Sequence, residues 1–435
     1  MLDIKNILEE IDKIDTIEPI GQVAQITGLV VESIGPVCSI GEICEIHTRT
    51  NGKILAEVVG FKQNRLELMP LGNLYGISPG DKVITTNKPL SIKLSTDLQG
   101  KILDGLGNII NKKENNINIE EIRTIVGSPP DALKRPRINK IISTGVRAID
   151  GILTLGQGQR VGIFAGSGVG KSMLLGMIAR NSSADINVIC LVGERGREVN
   201  DFIEKDLGTE GMKKSVVVVA TSDQPSIIRV KSGLVATTIA EFFRDKGYNV
   251  MFMMDSVTRI AIALREIGLA IGEPPTTKAY TPSVFAFLPG LLERAGTSPA
   301  GSITGIYTVL VEGEDMEDPI ADHVRSILDG HIVLTRKLAN KKHFPAIDVL
   351  QSVSRLMIDI VPDEHYQLAS NLTNYLARYY EIEDLINIGA YIRGNNKEND
   401  KAIELFPKIE QFLRQHYKEN SNYEEALQKL KEIFK

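Results

Sequence analysis

The stretch that most constrains what this chain can fold into is Ala165-Gly166-Ser167-Gly168-Val169-Gly170-Lys171-Ser172. A short apolar run, Val161 to Phe164, precedes it, and an apolar helical pattern, Met173 to Ala179, follows. Strand, glycine loop and helix in that order are the context of a phosphate-binding loop. Glycines lack Cβ, so successive backbone N–H groups can turn toward one anion. The helix adds the positive end of its dipole. In this pattern Ala165 to Ser172 bind phosphate, and Lys171 reaches the β- and γ-phosphates of a nucleoside triphosphate. The Ser172 hydroxyl ligates Mg2+. The first position departs from the strict motif, being Ala165 where glycine is usual.

The chain has 435 residues, enough for two or three domains and a large core. A net charge of −5 gives no support to nucleic-acid binding as its main task. No apolar run reaches membrane-spanning length, and Met1 to Glu18 is charged throughout, without a signal-peptide core. Cys38, Cys44 and Cys190 are odd in number and lack metal-site spacing, which fits a reducing cytoplasm. Cys190 sits in an apolar run and is read as core.

Residues 1–18 read as an amphipathic helix, with Ile4, Ile7, Leu8, Ile11 and Ile14 on one face. That face either docks a partner helix or packs on its own domain. From Gly21 to about Thr86, short β-type runs (Val23 to Val31, Ile43 to His47, Ile54 to Phe61, Leu66 to Met69) alternate with Gly/Pro turns, so 19–90 is read as a small β-barrel. Residues 87–140 look transitional. From about 141 to 360 strands and helices alternate, with runs at 159–165, 187–192, 215–220, 249–254, 303–310 and 331–334 apolar on both faces. That is a mostly parallel sheet covered by helices, an α/β fold whose ligands sit at the carboxyl ends of the strands. Beyond 361 the texture is helical: His365 to Tyr380, Glu383 to Tyr391, Asp400 to Gln415 and Tyr423 to Phe434.

Three further groups can carry chemistry. The strand Asn249 to Asp255 ends in an acid, as a Mg2+-supporting carboxylate would. Gly193-Glu194-Arg195-Gly196-Arg197-Glu198 directly follows another strand. Phosphoanhydride hydrolysis needs a group to orient water and cations to take up charge. Glu194 suits the first task, Arg195 the second, and Glu198 an outer-shell contact to the metal. Last comes His343 to Arg355, where Phe344 can stack on a base. Arg355 is either an arginine finger reaching a neighbouring copy's phosphates or one half of an internal salt bridge, and spacing alone does not choose.

Taken together, AGSGVGKS, GERGRE, Met253 to Arg259 and Phe344 to Arg355 resemble the hexameric RecA-like ATPases related to the catalytic subunit of the rotary ATP synthase. Within them, STGVRAIDG (Ser143 to Gly151), Ala270 to Phe285, LLERAG (Leu291 to Gly296), DPIADHVRSILDGHIVL (Asp318 to Leu334) and EDLINIGAY (Glu383 to Tyr391) are most similar to the flagellum-specific ATPases of the bacterial type III export apparatus. The resemblance implies a RecA-like P-loop NTPase core (91–360), an N-terminal barrel (19–90) and a C-terminal helical domain (361–435). It implies hydrolysis of ATP with Mg2+ in a homohexamer, with Ala165 to Ser172, Lys171 among them, binding phosphate and Mg2+, Glu194 polarising the water, Asp255 supporting the metal, Phe344 in the adenine pocket and Arg355 acting in trans; Arg195 as a catalytic cation and Glu198 at the metal stay readings of the residues themselves. It also implies partners: a stator-like regulator at the N-terminal helix, a coiled-coil stalk protein in the ring pore, export substrates with their chaperones, and a membrane export gate. The chain would then be cytoplasmic and peripheral to the inner membrane at the flagellar base. The nearest alternative is the ATPase of a virulence injectisome. An ATP synthase catalytic subunit is disfavoured by DPIAD, a non-catalytic ring subunit by the presence of both Glu194 and Arg355, and an RNA-translocating ring by the acidic balance.

Overall fold

The computed structural model describes residues 19–50, 52–111, 117–311, 313 and 315–435. The expected helix over residues 1–18 lies outside them. Six strands form a closed barrel: β1 (Ile20–Thr27), β2 (Val30–Ile34), β3 (Glu42–Thr48), β4 (Gly52–Lys62), β5 (Arg65–Pro70) and β6 (Lys82–Pro89), in the order β1-β2-β5-β4-β3-β6. Alternating side chains such as Val31, Ile46, Val58, Leu68 and Val83 fill its interior. The single run expected over Val23 to Val31 is two strands. The chain reverses at Gly28, whose φ of 59° suits glycine. β6 carries few apolar side chains, so its sequence signal is weak, yet it closes the barrel against β1 and β3.

The central sheet contains β7 (Ile102–Asp104), β8 (Arg160–Ala165), β9 (Ile186–Val192), β10 (Ser215–Ala220), β11 (Asn249–Asp255), β12 (Ser302–Leu310), β13 (Gly330–Leu334) and β14 (Ile347–Ser354). Their order is β14-β13-β8-β12-β11-β9-β10-β7. Every pair is parallel except β13–β14. β9 is buried along its whole length, as a strand covered by helices on both faces must be. Two apolar clusters lie on the two sides of the sheet. The stretch 87–140 is therefore more than a connection, since β7 from it forms one edge of the sheet.

Barrel and sheet domain are joined by Val30, Ile43, Met69 and Leu71 packing on Ala220, Ile227 and Ile228. A buried ion pair, Lys231 to Glu57 at 2.5 Å, reinforces the joint. The C-terminal helices are Asp363–Asn387, Lys397–Leu413 and Tyr423–Ile433. The two helices expected before and after Tyr380 are one, because no Gly or Pro interrupts the chain until Gly389, at φ 72°. Buried His365 ties this domain down, pairing through Nδ1 with the Tyr423 hydroxyl and through Nε2 with the Gly151 carbonyl. Among the described residues no helix is long and apolar enough to cross a membrane.

Candidate active site

β8 delivers the chain to the glycine loop with Ala165 buried at its end. A methyl is tolerated there because the backbone is still extended. Gly168 and Gly170 adopt φ of 78° and 93°, a region costly for other residues. The helix Lys171–Asn181 starts directly from Gly170, so its positive end faces the loop. Val169 is buried in the core beneath, while Ser167, Gly168 and Ser172 are exposed. A Cβ on Gly170 would lie 3.4 Å from the Phe344 ring, so Phe344 rests against this loop of its own chain.

Three strand ends converge on Lys171. Its Nζ lies 2.5 Å from Asp255 Oδ1, at the end of β11, and 3.4 Å from Glu194 Oε1, just past β9. Burial pulls the ammonium pKa down, but Asp255 and Glu194 outweigh it and hold it above its ordinary value. Burial, reinforced by Asp255, pushes the Glu194 carboxyl up against the pull of Lys171. A hydrogen bond from Glu194 holds the neighbouring Glu198 carboxyl below its ordinary value. Asp255 is oriented by the Thr308 hydroxyl, which donates to Oδ1 at 2.6 Å.

The remaining candidates are placed differently. The Arg195 side chain is exposed, and its Nη1 lies 3.5 Å from Glu198 Oε1. Arg355 is at the other end of the sheet. β14 runs antiparallel to β13, so Ile347 pairs with Leu334 at the loop end and Ser354 with Gly330 at the far end. The Arg355 N–H bonds to the Asp329 carbonyl, and Asp329 N–H to the Arg160 carbonyl. Arg355 therefore sits level with the start of β8. The steps from Arg160 to Ala165 span about 16 Å. An arginine side chain reaches only about 7 Å over its six bonds. Arg355 is exposed, and among the described residues its side chain makes no ion pair or hydrogen bond, so the internal salt bridge is not formed.

Ser172, Asp255 and Glu198 offer oxygen donors only, as a hard cation requires. No group of three or more His, Cys, Asp or Glu side chains among the described residues could by itself hold an ion. This donor set fits Mg2+ carried mainly by phosphates and water.

Two residues escaped the sequence reading. Thr308 lies inside β12, and nothing local marks it as a partner of Asp255. Arg259 was noted only within a longer segment. Its side-chain carbons pack 3.0 Å from where a Gly193 Cβ would stand, and it borders a cavity of about 580 Å3 beside Ala165 to Ser167. Arg265, Lys278 and Arg336 line the same cavity. Cations just beyond a strand-end acid were the available signal.

Residues 145–354 match the ATP synthase alpha/beta family nucleotide-binding domain, and 23–87 its beta-barrel domain. Residues 361–432 match the C-terminal domain of the type III secretion ATPase EscN. The chain is 53% identical over 425 residues to the flagellum-specific ATP synthase of Bacillus subtilis, covering 97% of each. It superposes on the assembled ATPase EscN of the enteropathogenic E. coli type III secretion system with a TM-score of 0.91, at 46% identity, covering 95% of this chain and 100% of that one. EscN in complex with its central stalk EscO gives 0.89 at 45% identity, with the same coverage. Loop, converging acids, barrel and helical domain thus agree with the whole-chain similarity, and the protein belongs to the ATP synthase alpha/beta family, in its branch of flagellar and type III secretion ATPases.

Proposed function

We propose that copies of this chain close into a homohexameric ring that hydrolyses ATP at the contacts between neighbours and thereby serves export of flagellar proteins. The observation that carries this reading is the direction of β14. It leaves Phe344 on its own loop and takes Arg355 the opposite way, out of reach of the site in its own chain and free to be lent to another copy. In this reading the backbone N–H groups of the loop cradle the phosphates, Lys171 turns from Asp255 and Glu194 toward the β- and γ-phosphates, and Phe344 lines the adenine pocket. Glu194 orients the attacking water and accepts its proton, while Glu198 holds Glu194 in place. Arg195 and the neighbour's Arg355 take up charge on the transferring phosphoryl group. Mg2+, when bound, neutralises phosphate oxygens; Ser172 would hold it directly, and Asp255 and Glu198 through water.

The long helix Asp363–Asn387 ends near exposed Leu385, Ile388 and Ile392. This apolar tip suits a coiled-coil stalk protein in the ring pore, as EscN has a central stalk in EscO. A regulator at residues 1–18, substrates with chaperones, a membrane export gate and a cytoplasmic place at the inner membrane follow from the family alone.

Activity per subunit is expected to rise steeply with protein concentration as rings form. Arg355→Ala and Lys171→Ala, each inactive alone, recover turnover when mixed. In random equal mixtures about one interface in four joins an intact loop to an intact arginine. Flat activity across monomeric and ring conditions, or no recovery in confirmed mixed rings, removes the shared site.

A further inference from the structure

We propose that Gln159, acting with Ser354 and Asp329, is the positioning residue for the arginine that each copy lends to its neighbour. This rests on the shared-site reading above. Arg355 stands at the free end of an edge strand, where its exposed side chain has no partner of its own among the described residues. A group that acts across a subunit boundary must nevertheless be presented from a fixed base, since a misplacement of about 1 Å costs about a hundredfold in rate.

The base is built from three segments. Gln159 is fully buried. Its Nε2 donates to the Ser354 hydroxyl at 3.1 Å and to the Asp329 carbonyl at 3.3 Å, while its Oε1 accepts from the Gly156 N–H at 2.9 Å. All polar atoms of the side chain are thereby used, as burial of an amide demands. The Asp329 carbonyl also accepts the Arg355 N–H, at 3.1 Å. The Ser354 hydroxyl donates in turn to the Thr154 carbonyl at 2.8 Å. The Asp329 carboxylate is fixed in turn by Arg160, through its backbone N–H at 3.0 Å, Nε at 3.1 Å and Nη2 at 3.2 Å. Gly330 completes the seat: a Cβ there would stand 2.6 Å from the Val353 carbonyl oxygen, so β13 and β14 approach closely only with glycine at this point. One buried amide thus joins the residue before Arg355 to the carbonyl that holds the Arg355 backbone. The phosphate loop lies at the other end of β8, so the clamp touches no part of the nucleotide site in its own chain.

The test uses full-length rings and two variants. Gln159→Leu removes both donated bonds; Ser354→Ala removes one partner at a half-buried position and keeps the fold if the first does not. Each is expected to lower kcat about tenfold or more while nucleotide Kd stays within about twofold. Ser354→Ala added to Arg355→Ala should slow turnover no further. Mixed with Lys171→Ala subunits, whose arginine seat is intact, Ser354→Ala rings should exceed the mean of the two pure rings. Wild-type kcat in Ser354→Ala, a loss that adds to that of Arg355→Ala, or no rescue by Lys171→Ala subunits overturns the assignment, provided Arg355→Ala is itself rescued in the same mixture. If Arg355→Ala is not rescued, the shared-site reading fails instead.

Discussion

Replacing Glu194 by Gln separates catalysis from binding in this site. The amide has nearly the shape of the carboxyl and can still donate to Glu198. Lys171 keeps Asp255 at 2.5 Å, so its position does not depend on Glu194. The fold therefore tolerates the change, and Tm should move by less than about 2 °C. In the proposed mechanism the loss is the base. General-base assistance is worth about 10²- to 10⁴-fold, so steady-state phosphate release should fall by at least about a hundredfold, or about 2.7 kcal/mol of barrier. Binding should move the other way. Glu194 lies 3.4 Å from Lys171 Nζ, so its carboxylate also faces the phosphates that this ammonium receives. At about 5 Å two like charges repel by about 3 kcal/mol with an effective dielectric of about 20. Lys171, beside the same carboxylate, offsets much of that repulsion, so the net gain on substitution is smaller, about 1 kcal/mol or a fivefold lower Kd for ATP. Phosphate release and fluorescent-nucleotide titration on the same preparation read both quantities. Turnover within about threefold of the parent refutes the role of Glu194. Joint loss of turnover and binding shows instead that the carboxyl builds the loop.

Three further outcomes follow from the geometry. Gly170→Ala places a methyl in left-handed backbone, costing about 1–2 kcal/mol, and presses on Phe344; nucleotide affinity should fall at least as much as stability, read by titration and thermal melts. Lys231→Met strands Glu57 inside the joint between barrel and sheet domain, so stability should fall by about 3 kcal/mol in denaturant, whereas Glu57→Leu combined with Lys231→Met should recover most of it. Burial lowers the pKa of His331, His343 and His365, with His343 down at about 4. The unfolded chain then binds protons first, so this stability is complete above about pH 6.5 and is lost as pH falls toward 4. His343→Gln should flatten the Tm decline between about pH 6.5 and 5; the comparison cancels Asp150, whose burial pushes its carboxyl up to about 6 and acts in the opposite sense. An unchanged slope refutes the His343 contribution.

The phosphate loop, Glu194 and Asp255 were legible in the linear chain because each directly follows an apolar run. In a parallel sheet the carboxyl ends of strands all emerge on one side, so local order alone brings these groups together. The helical domain was legible as texture, but its first helix runs on through Tyr380 to Asn387 where two were expected. The reason is that helix ends are set by caps and tertiary packing more than by composition. β6 was missed because Thr85 to Lys88 carries no apolar alternation. Thr308 was missed because its partner lies on the adjacent strand, 53 residues away in sequence.

Residue order by itself determined that a glycine loop follows a buried strand and opens a helix, with two strand-end acids and with a barrel and helices on either side. It did so because glycine freedom, strand burial and helix polarity act over a few neighbouring residues. Only the tertiary structure shows where Arg355 stands relative to the loop of its own chain. It lies eleven positions after Phe344, and that interval reads the same whether the strand between them returns toward the loop or runs away from it. The antiparallel pairing of β14 with β13 sends it away, and a side chain about 7 Å long does not span about 16 Å back.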